Sequence, residues 1–562
     1  MQNVEWLKRQ QNLPACAPPS APILRGRIVS RSWSRSARPE GVFFVPPPLF
    51  FIGEKKPLPK LPWQAAFLLA LFPFCLFSQN QNGLAAESHH AKELMADHRF
   101  AEAIPIYEHL VRAVPGNPAL LLNLALAEEM AGRHARAIPH FEAVLKAQPD
   151  NVPALTSLAM AHLQLNQSRE AIAPLRKLIT LEPNNFNALG MLAGAELDQN
   201  LFEDAARHYR AITSQDASDP RAWYGLGKAY ESLAAGTFER LNKSAPQSPY
   251  IALLLADTRV QRRQYRSAFF FYREAQSKLP DLPGIHAGLA QVYRNTDHAD
   301  WAAAEQKLEE TRPAPNCQSQ AAECAFLAQR FLDAAKSASA NNPANLFWAT
   351  KAYNELAVEA FDRLSQLPES VQIHALKAQI LHDHKQNIDA ANEWRAALKI
   401  TPDDTALKRQ LASALFDAQD YQGAMPLAAE LLTQEPKSPE LNYLLGASLW
   451  RTEQAEKALP YLEASVAGPA GNPAAEAALG LALEALNKNA EAIPHLKKAL
   501  TLDDDGSLHY SLARAYRAAG QTQLAASALD EYQKIQKQNQ QINDQLAKEA
   551  EITAPASLPQ NH

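Results

Sequence analysis

HRFAEAIPIYEHLVRAVPGNP, residues His98 to Pro118, decides how this chain is read. Two later stretches repeat it: RHARAIPHFEAVLKAQPDN (133–151) and SREAIAPLRKLITLEPNN (168–185). Ala103, Tyr107 and Pro115 recur as Ala137, Phe141 and Pro149, then as Ala171, Leu175 and Pro183, 34 residues apart in every column. The stretches between them repeat as well. Leu121, Leu124 and Ala125 return as Leu155, Leu158 and Ala159, then as Leu189, Leu192 and Ala193. Apolar residues three and four apart lie on one helical face, and a proline cannot continue the helix before it. Each period therefore predicts two helices closed by a turn. Small residues (Ala125, Gly227, Gly446 and Gly480 in the first helix, Ala103, Ala137, Ala268, Ala424, Ala458 and Ala492 in the second) let the pair approach closely. The large residue four positions on fills the space between units. One such pair cannot bury its apolar stripe alone, so neighbours must stack.

Composition agrees. Of 562 residues, 47% are hydrophobic and 20% charged, enough to bury a core. Only 20 glycines and 8% aromatics argue against a propeller or large sandwich. A net charge of −5 supplies no basic field for nucleic acid. Four cysteines are too few for a scaffold built on disulfides.

At residues 222–230, AWYGLGKAY places Trp223, Leu226, Gly227 and Tyr230 at a spacing that resembles the tetratricopeptide repeat: W-x2-L-G-x2-Y, then A-x3-F, then P. The resemblance extends over about residues 84–539. It implies an all-α fold, an α-solenoid in which antiparallel helix pairs form a right-handed superhelix. Units fall near 84–117, 118–151, 152–185, 186–219, 249–282, 283–316, 371–404, 405–438, 439–472, 473–505 and 506–539. Two segments break the period, 220–248 and 317–370, and they match each other. Lys228/Lys351, Tyr230/Tyr353, Leu233/Leu356, Phe238/Phe361, Arg240/Arg363 and Leu241/Leu364 are all 123 apart. A larger block has been duplicated, and lengthened helices with altered packing are expected there. The expected organisation is a repeat block at 87–316, a divergent segment at 317–370, a second block at 371–539, and a polar capping helix running into a disordered tail at 540–562.

The N-terminus reads differently. Residues 1–54 are rich in Pro, Arg and Ser and are expected to be disordered or untranslated. Residues 55–86 read as a signal peptide or a membrane anchor. Lys55, Lys56 and Lys60 precede an apolar run from Trp63 to Phe77, then Ser78, in the order of a secretory signal. Ser78 or Ala86 is the expected last residue removed. The expected location is the periplasm or cell envelope, with an inner-membrane anchor through residues 63–78 as the alternative.

Chemistry-bearing groups are sparse. Cys317 and Cys324 read as a disulfide, a metal pair or two buried thiols. Along one helix, seven residues span roughly 10.5 Å, too far for a disulfide, so a bridge requires Cys317 to lie in a loop before the helix. His374, His382 and His384 read as a solvated helix end. No G-x-S-x-G, H-E-x-x-H or phosphate-binding loop occurs. No enzyme, cofactor or metal site is expected.

The resemblance further implies that the first helix of each unit lines a concave groove. The early groove positions are Leu122, Leu126, Met130, Met160 and Leu163, with Gly190 and Gly194. The later ones include Arg221, Tyr224, Lys228, Arg294, Arg409, Tyr443, Trp450 and Arg451, of the types enriched in binding hot spots. A Lys/Asn clamp for a peptide carboxylate is missing, since its positions hold Lys92 and Leu126. The expected function is a non-enzymatic protein-interaction scaffold of the bacterial cell envelope that binds partner segments in the groove. The alternative is a membrane-anchored assembly or secretion accessory. Partners are proteins or peptides, not nucleic acid.

Overall fold

A computed structural model describes residues 72–467, 471–549 and 551–555, with backbone alone for 72–82, 542–543 and 545–549. The expected extension at 1–54 and most of the expected signal segment lie outside the described residues. Among the described residues there are α-helices and two short 3-10 turns and no strand. The fold is an α-solenoid of antiparallel helix pairs, in which the two helices of each regular pair pack on one another. The chain forms two compact units, one ending at Ala217 and the other beginning at Ser218.

The first unit holds α1 (Phe72–Ala96), α2 (Phe100–Ala113), α3 (Pro118–Met130), α4 (His134–Ala147), α5 (Val152–Gln164), α6 (Ser168–Leu181), α7 (Phe186–Asp198) and α8 (Phe202–Gln215). Local chemistry sets these limits. Asn117, Asn151 and Asn185 each accept from backbone N–H groups at the start of α3, α5 and α7, which satisfies donors a helix start leaves unpaired. The second helix of each pair stops two residues before Pro115, Pro149 and Pro183. His98, Gly132, Asn166 and Asn200, 34 apart, take positive φ in the turn inside each pair. The core follows the sequence columns: Ala103, Ala137, Ala171 and Ala205 are fully buried, as are Tyr107, Phe141 and Leu175. Burial of one such large side chain contributes about 1.5–3 kcal/mol.

The second unit begins with α9 (Pro220–Ser244), α10 (Pro249–Gln261), α11 (Tyr265–Lys278), α12 (Ile285–Arg294) and α13 (Ala299–Glu310). Two short helices follow, α14 (Ala321–Leu327) and α15 (Phe331–Lys336), then α16 (Pro343–Ser365). Regular pairs resume with α17 (Val371–Asp383), α18 (Asn387–Ile400), α19 (Thr405–Asp417), α20 (Tyr421–Gln434), α21 (Pro439–Arg451) and α22 (Ala455–Val466). The unit ends with α23 (Pro473–Ala485), α24 (Asn489–Ala499), α25 (Ser507–Ala518) and α26 (Thr522–Glu549).

The two divergent segments contain the long helices α9 and α16, and these pack against each other. Equivalent residues meet: the rings of Tyr230 and Tyr353 lie 6.2 Å apart. Lys228 of α9 reaches Asp383 on α17 at 3.2 Å. Lys351 of α16 reaches Asp257 on α10 at 3.0 Å. Each duplicated lysine thus crosses to the helix that follows the other copy. Gly227 permits this, because a Cβ there would overlap the Phe361 ring. The contact explains why the unit boundary falls at 217/218 and not near 316, since α9 is tied to α16.

The tail departs from expectation. Residues 551–555 were expected to be disordered, yet Pro555 is buried and the Thr553 carbonyl accepts a 2.7 Å hydrogen bond from the Tyr293 hydroxyl. A buried donor that gains a partner holds this segment in place.

Candidate protein-binding surfaces

The sequence-named groove residues fall into two groups and one outlier. Arg221, Tyr224 and Lys228 lie on α9, while Arg409, Tyr443, Trp450 and Arg451 lie on α19 and α21. Arg294 stands apart, exposed at the end of α12. Several are already engaged within the chain. Lys228 pairs with Glu231 at 2.8 Å as well as with Asp383, and Glu231 also contacts His384 Nε2 at 2.7 Å. Burial alone would lower the Lys228 pKa, but Glu231 and Asp383 outweigh it and hold it above the ordinary lysine value. Burial would likewise raise Glu231, but the hydrogen bond from His384 and the charge of Lys228 hold it below the carboxylate range.

Arg409 is buried, 2.7 Å from Glu435 and 3.6 Å from Glu440. Tyr443 packs edge-on against Phe416 with centroids 5.6 Å apart, and burial raises its hydroxyl pKa. The Arg451 guanidinium lies 4.7 Å from the Trp450 ring centre, a cation–π contact between chain neighbours. Arg221 stays largely exposed beside Asp219.

The early positions behave differently. Leu122, Leu126 and Met130, spaced by four, form one stripe on α3. Met160 and Leu163 continue it on α5, which packs against α3. Met130 is 56% and Met160 36% exposed, and the three leucines are half-buried. On α7, Gly190 and Gly194 leave the corresponding face without side chains. This is an accessible apolar strip on consecutive first helices. Methionine suits such a surface because its flexible, polarisable side chain adapts to irregular partners.

His–carboxylate pairs with one buried partner recur along the array, a feature sequence reasoning missed. In two units the carboxylate sits late in the first helix: Glu128–His140 and Glu196–His208, both 2.7 Å. In three others the partners are 19 residues apart: His286–Glu305 at 2.5 Å, His374–Glu393 at 2.6 Å and Glu476–His495 at 2.5 Å. The spacings of 12 and 19 are the signal that would have found them. His374, expected on a solvated helix end, is therefore corrected: it is buried because Glu393 satisfies it. These pairs join the two helices of one hairpin. Among the described residues no group of three or more His, Cys, Asp or Glu is placed to hold a metal ion.

Cys317 lies in the loop ahead of α14 and Cys324 within it, and their sulfurs are bonded at 2.04 Å with Cα atoms 5.6 Å apart. Among the described residues no helix is long and apolar enough to cross a membrane.

Family models described as tetratricopeptide repeat match residues 90–152, 156–220, 191–237 and 477–540, a second such model matches 129–178, and a third matches 342–505. Together they take in more than half of the chain. No curated protein matches the sequence. Similar solved structures include a tetratricopeptide repeat protein from Parabacteroides merdae, 13% identical, covering 59% of this chain and 99% of that one at a TM-score of 0.28. MamA from Desulfovibrio magneticus is 23% identical and covers 30% of this chain and 97% of its own, at 0.27. A thermophilic protein of the same repeat from Thermus thermophilus is 19% identical and covers 32% and 98%, at 0.25. At these scores no residue role passes from them to this chain.

Proposed function

The chain belongs to the tetratricopeptide repeat family, and on that premise we propose that it is a non-enzymatic protein-interaction scaffold of the bacterial cell envelope. Partner segments bind along the first helices of the repeats, and no bond is made or broken. The observation that carries this reading is the accessible apolar strip of Leu122, Leu126, Met130, Met160 and Leu163. Contiguous exposed apolar surface marks interaction sites, and covering the exposed part of each methionine contributes about 0.5–1.5 kcal/mol. The later Arg and aromatic positions serve as secondary contacts, because Lys228, Arg409 and Trp450 are already paired within the chain.

Export is supported by the basic flank and apolar run at residues 55–77 and by the Cys317–Cys324 bond, which persists in oxidising compartments. A photo-reactive residue at position 130 or 160 should crosslink one discrete partner, whereas the same residue at exposed Glu142 on α4 should not. Equal labelling from all three positions sinks the strip as a binding surface. N-terminal sequencing of mature protein beginning near Gln79 or Glu87 supports export. An intact N-terminus in the membrane pellet favours the anchored accessory instead.

A further inference from the structure

Tyr293 is wholly buried on α12, in contact with the rings of Phe269 at 5.8 Å and Trp301 at 5.5 Å. Its hydroxyl donates to a carbonyl 260 residues away in sequence, that of Thr553. The matching column elsewhere in the array behaves otherwise. Glu128, His162 and Glu196, 34 apart, find their partners His140, Gln167 and His208 close by in sequence. The Tyr293 hairpin instead borrows an outside acceptor from the tail. The tail's form suits the task. Residues 551–555 take no helix, strand or turn, and Pro555 is buried. A buried proline brings no N–H to satisfy, and a segment outside helix and strand has carbonyls that must find partners elsewhere. The 28-residue α26, roughly 42 Å long at 1.5 Å per residue, carries the chain to this seat.

We propose that the face of the α12–α13 hairpin around Tyr293 is a binding site for a short, non-helical, proline-containing segment, that residues 551–555 fill it in cis, and that a partner segment of the same chemistry gains the site by displacing them. The proposal rests on the scaffold reading and adds a second, self-occupied site to it. A tethered segment has an effective concentration of about 1 mM. Against an intrinsic Kd on the order of 100 µM, the tail then weakens a competing segment about elevenfold.

The test uses a fluorescein-labelled peptide of residues 549–560, EAEITAPASLPQ, and fluorescence anisotropy. A chain ending at Ala550 should bind it about tenfold more tightly than the full chain. Tyr293→Phe in the shortened chain should weaken binding several-fold, and a scrambled peptide should not bind. Equal affinity for both chains, or no binding to a shortened chain with unchanged helicity, overturns the proposal. Should shortening disturb the fold, Pro555→Asp in the full chain replaces it. Amide exchange over residues 285–301 should then rise several-fold, and unchanged exchange overturns the proposal. Crosslinking at positions 130 and 160 is independent of this seat, so its success beside a failed peptide assay refutes this inference alone.

Discussion

Replacing Gly227 by alanine inverts an ordinary rule. In an exposed helix interior, Gly→Ala stabilises by up to about 1 kcal/mol. In α9 the added Cβ would lie 2.6 Å from both Cδ1 and Cζ of Phe361 and closer still to Cε1. Carbon atoms at rest sit roughly 3.5–4.0 Å apart, so the nearest edge of the ring must retreat by roughly 1.5 Å. Overpacking of this kind costs about 1–3 kcal/mol, and the upper half of that range applies because Gly227 is buried. Phe361 is half-buried, so Phe361→Ala alone should cost about 2 kcal/mol, below the range for a fully buried ring. If the overlap is the cause, the double variant costs no more than Phe361→Ala. The coupling energy is then about 2–3 kcal/mol in favour of the pair. A long repeat unit does not unfold in two states, so the reading is taken from amide exchange in α9 and α16, which reports local opening. Costs that add to within about 0.5 kcal/mol, or a Gly227→Ala chain more protected than the parent, would refute the packing described for these helices.

Glu453 holds a positive φ in the turn between α21 and α22, a conformation costing a side-chain-bearing residue about 1–2 kcal/mol. Glu453→Gly should therefore stabilise that pair by about 0.5–1 kcal/mol, read as a raised melting temperature. Reducing the Cys317–Cys324 bond reopens a short loop, and the chain-entropy relation puts the loss near 2.5 kcal/mol; faster exchange in α14 and α15 on adding reductant checks it. Hydrogen bonding to Glu305 raises the His286 pKa, so its contribution is complete below about pH 6.5 and fades as pH climbs through the higher folded value. Burial opposes ionisation of Glu476, but hydrogen bonds from Lys498 and His495 prevail and lower its pKa. Its contribution holds above about pH 4.5 and fades as pH falls through the lower folded value. Thermal melts across pH 2 to 9 should show both flanks, and His286→Gln should flatten only the alkaline one.

The helix pairs were legible because the repeat writes its contacts locally. Asn117, Asn151 and Asn185 start helices, Pro115, Pro149 and Pro183 follow their ends, and the alanine columns mark where helices touch. Periodicity carries information about neighbours in sequence and little else. The α9–α16 contact was therefore hidden: the duplication at 123 residues identified the two helices, but nothing in either copy says they face each other. The groove positions suffered from the same blindness. Family register indicates which face Lys228 or Arg409 occupies, whereas Asp383 and Glu435 decide whether it is still available. Polar composition made the tail read as disorder, since the Tyr293 hydroxyl that receives it lies 260 residues upstream.

The pairing of α9 with α16 also sets a timetable. α16 is complete only at Ser365, about 120 residues after Ser244 closes α9 (365 − 244). At translation speeds of about 5–20 residues per second, the freshly made α9 waits roughly 6–24 seconds for its mate. Throughout that interval Gly227 and Tyr230 stand uncovered, and a nascent chain stalled before Pro343 would present them to whatever folding helper is near.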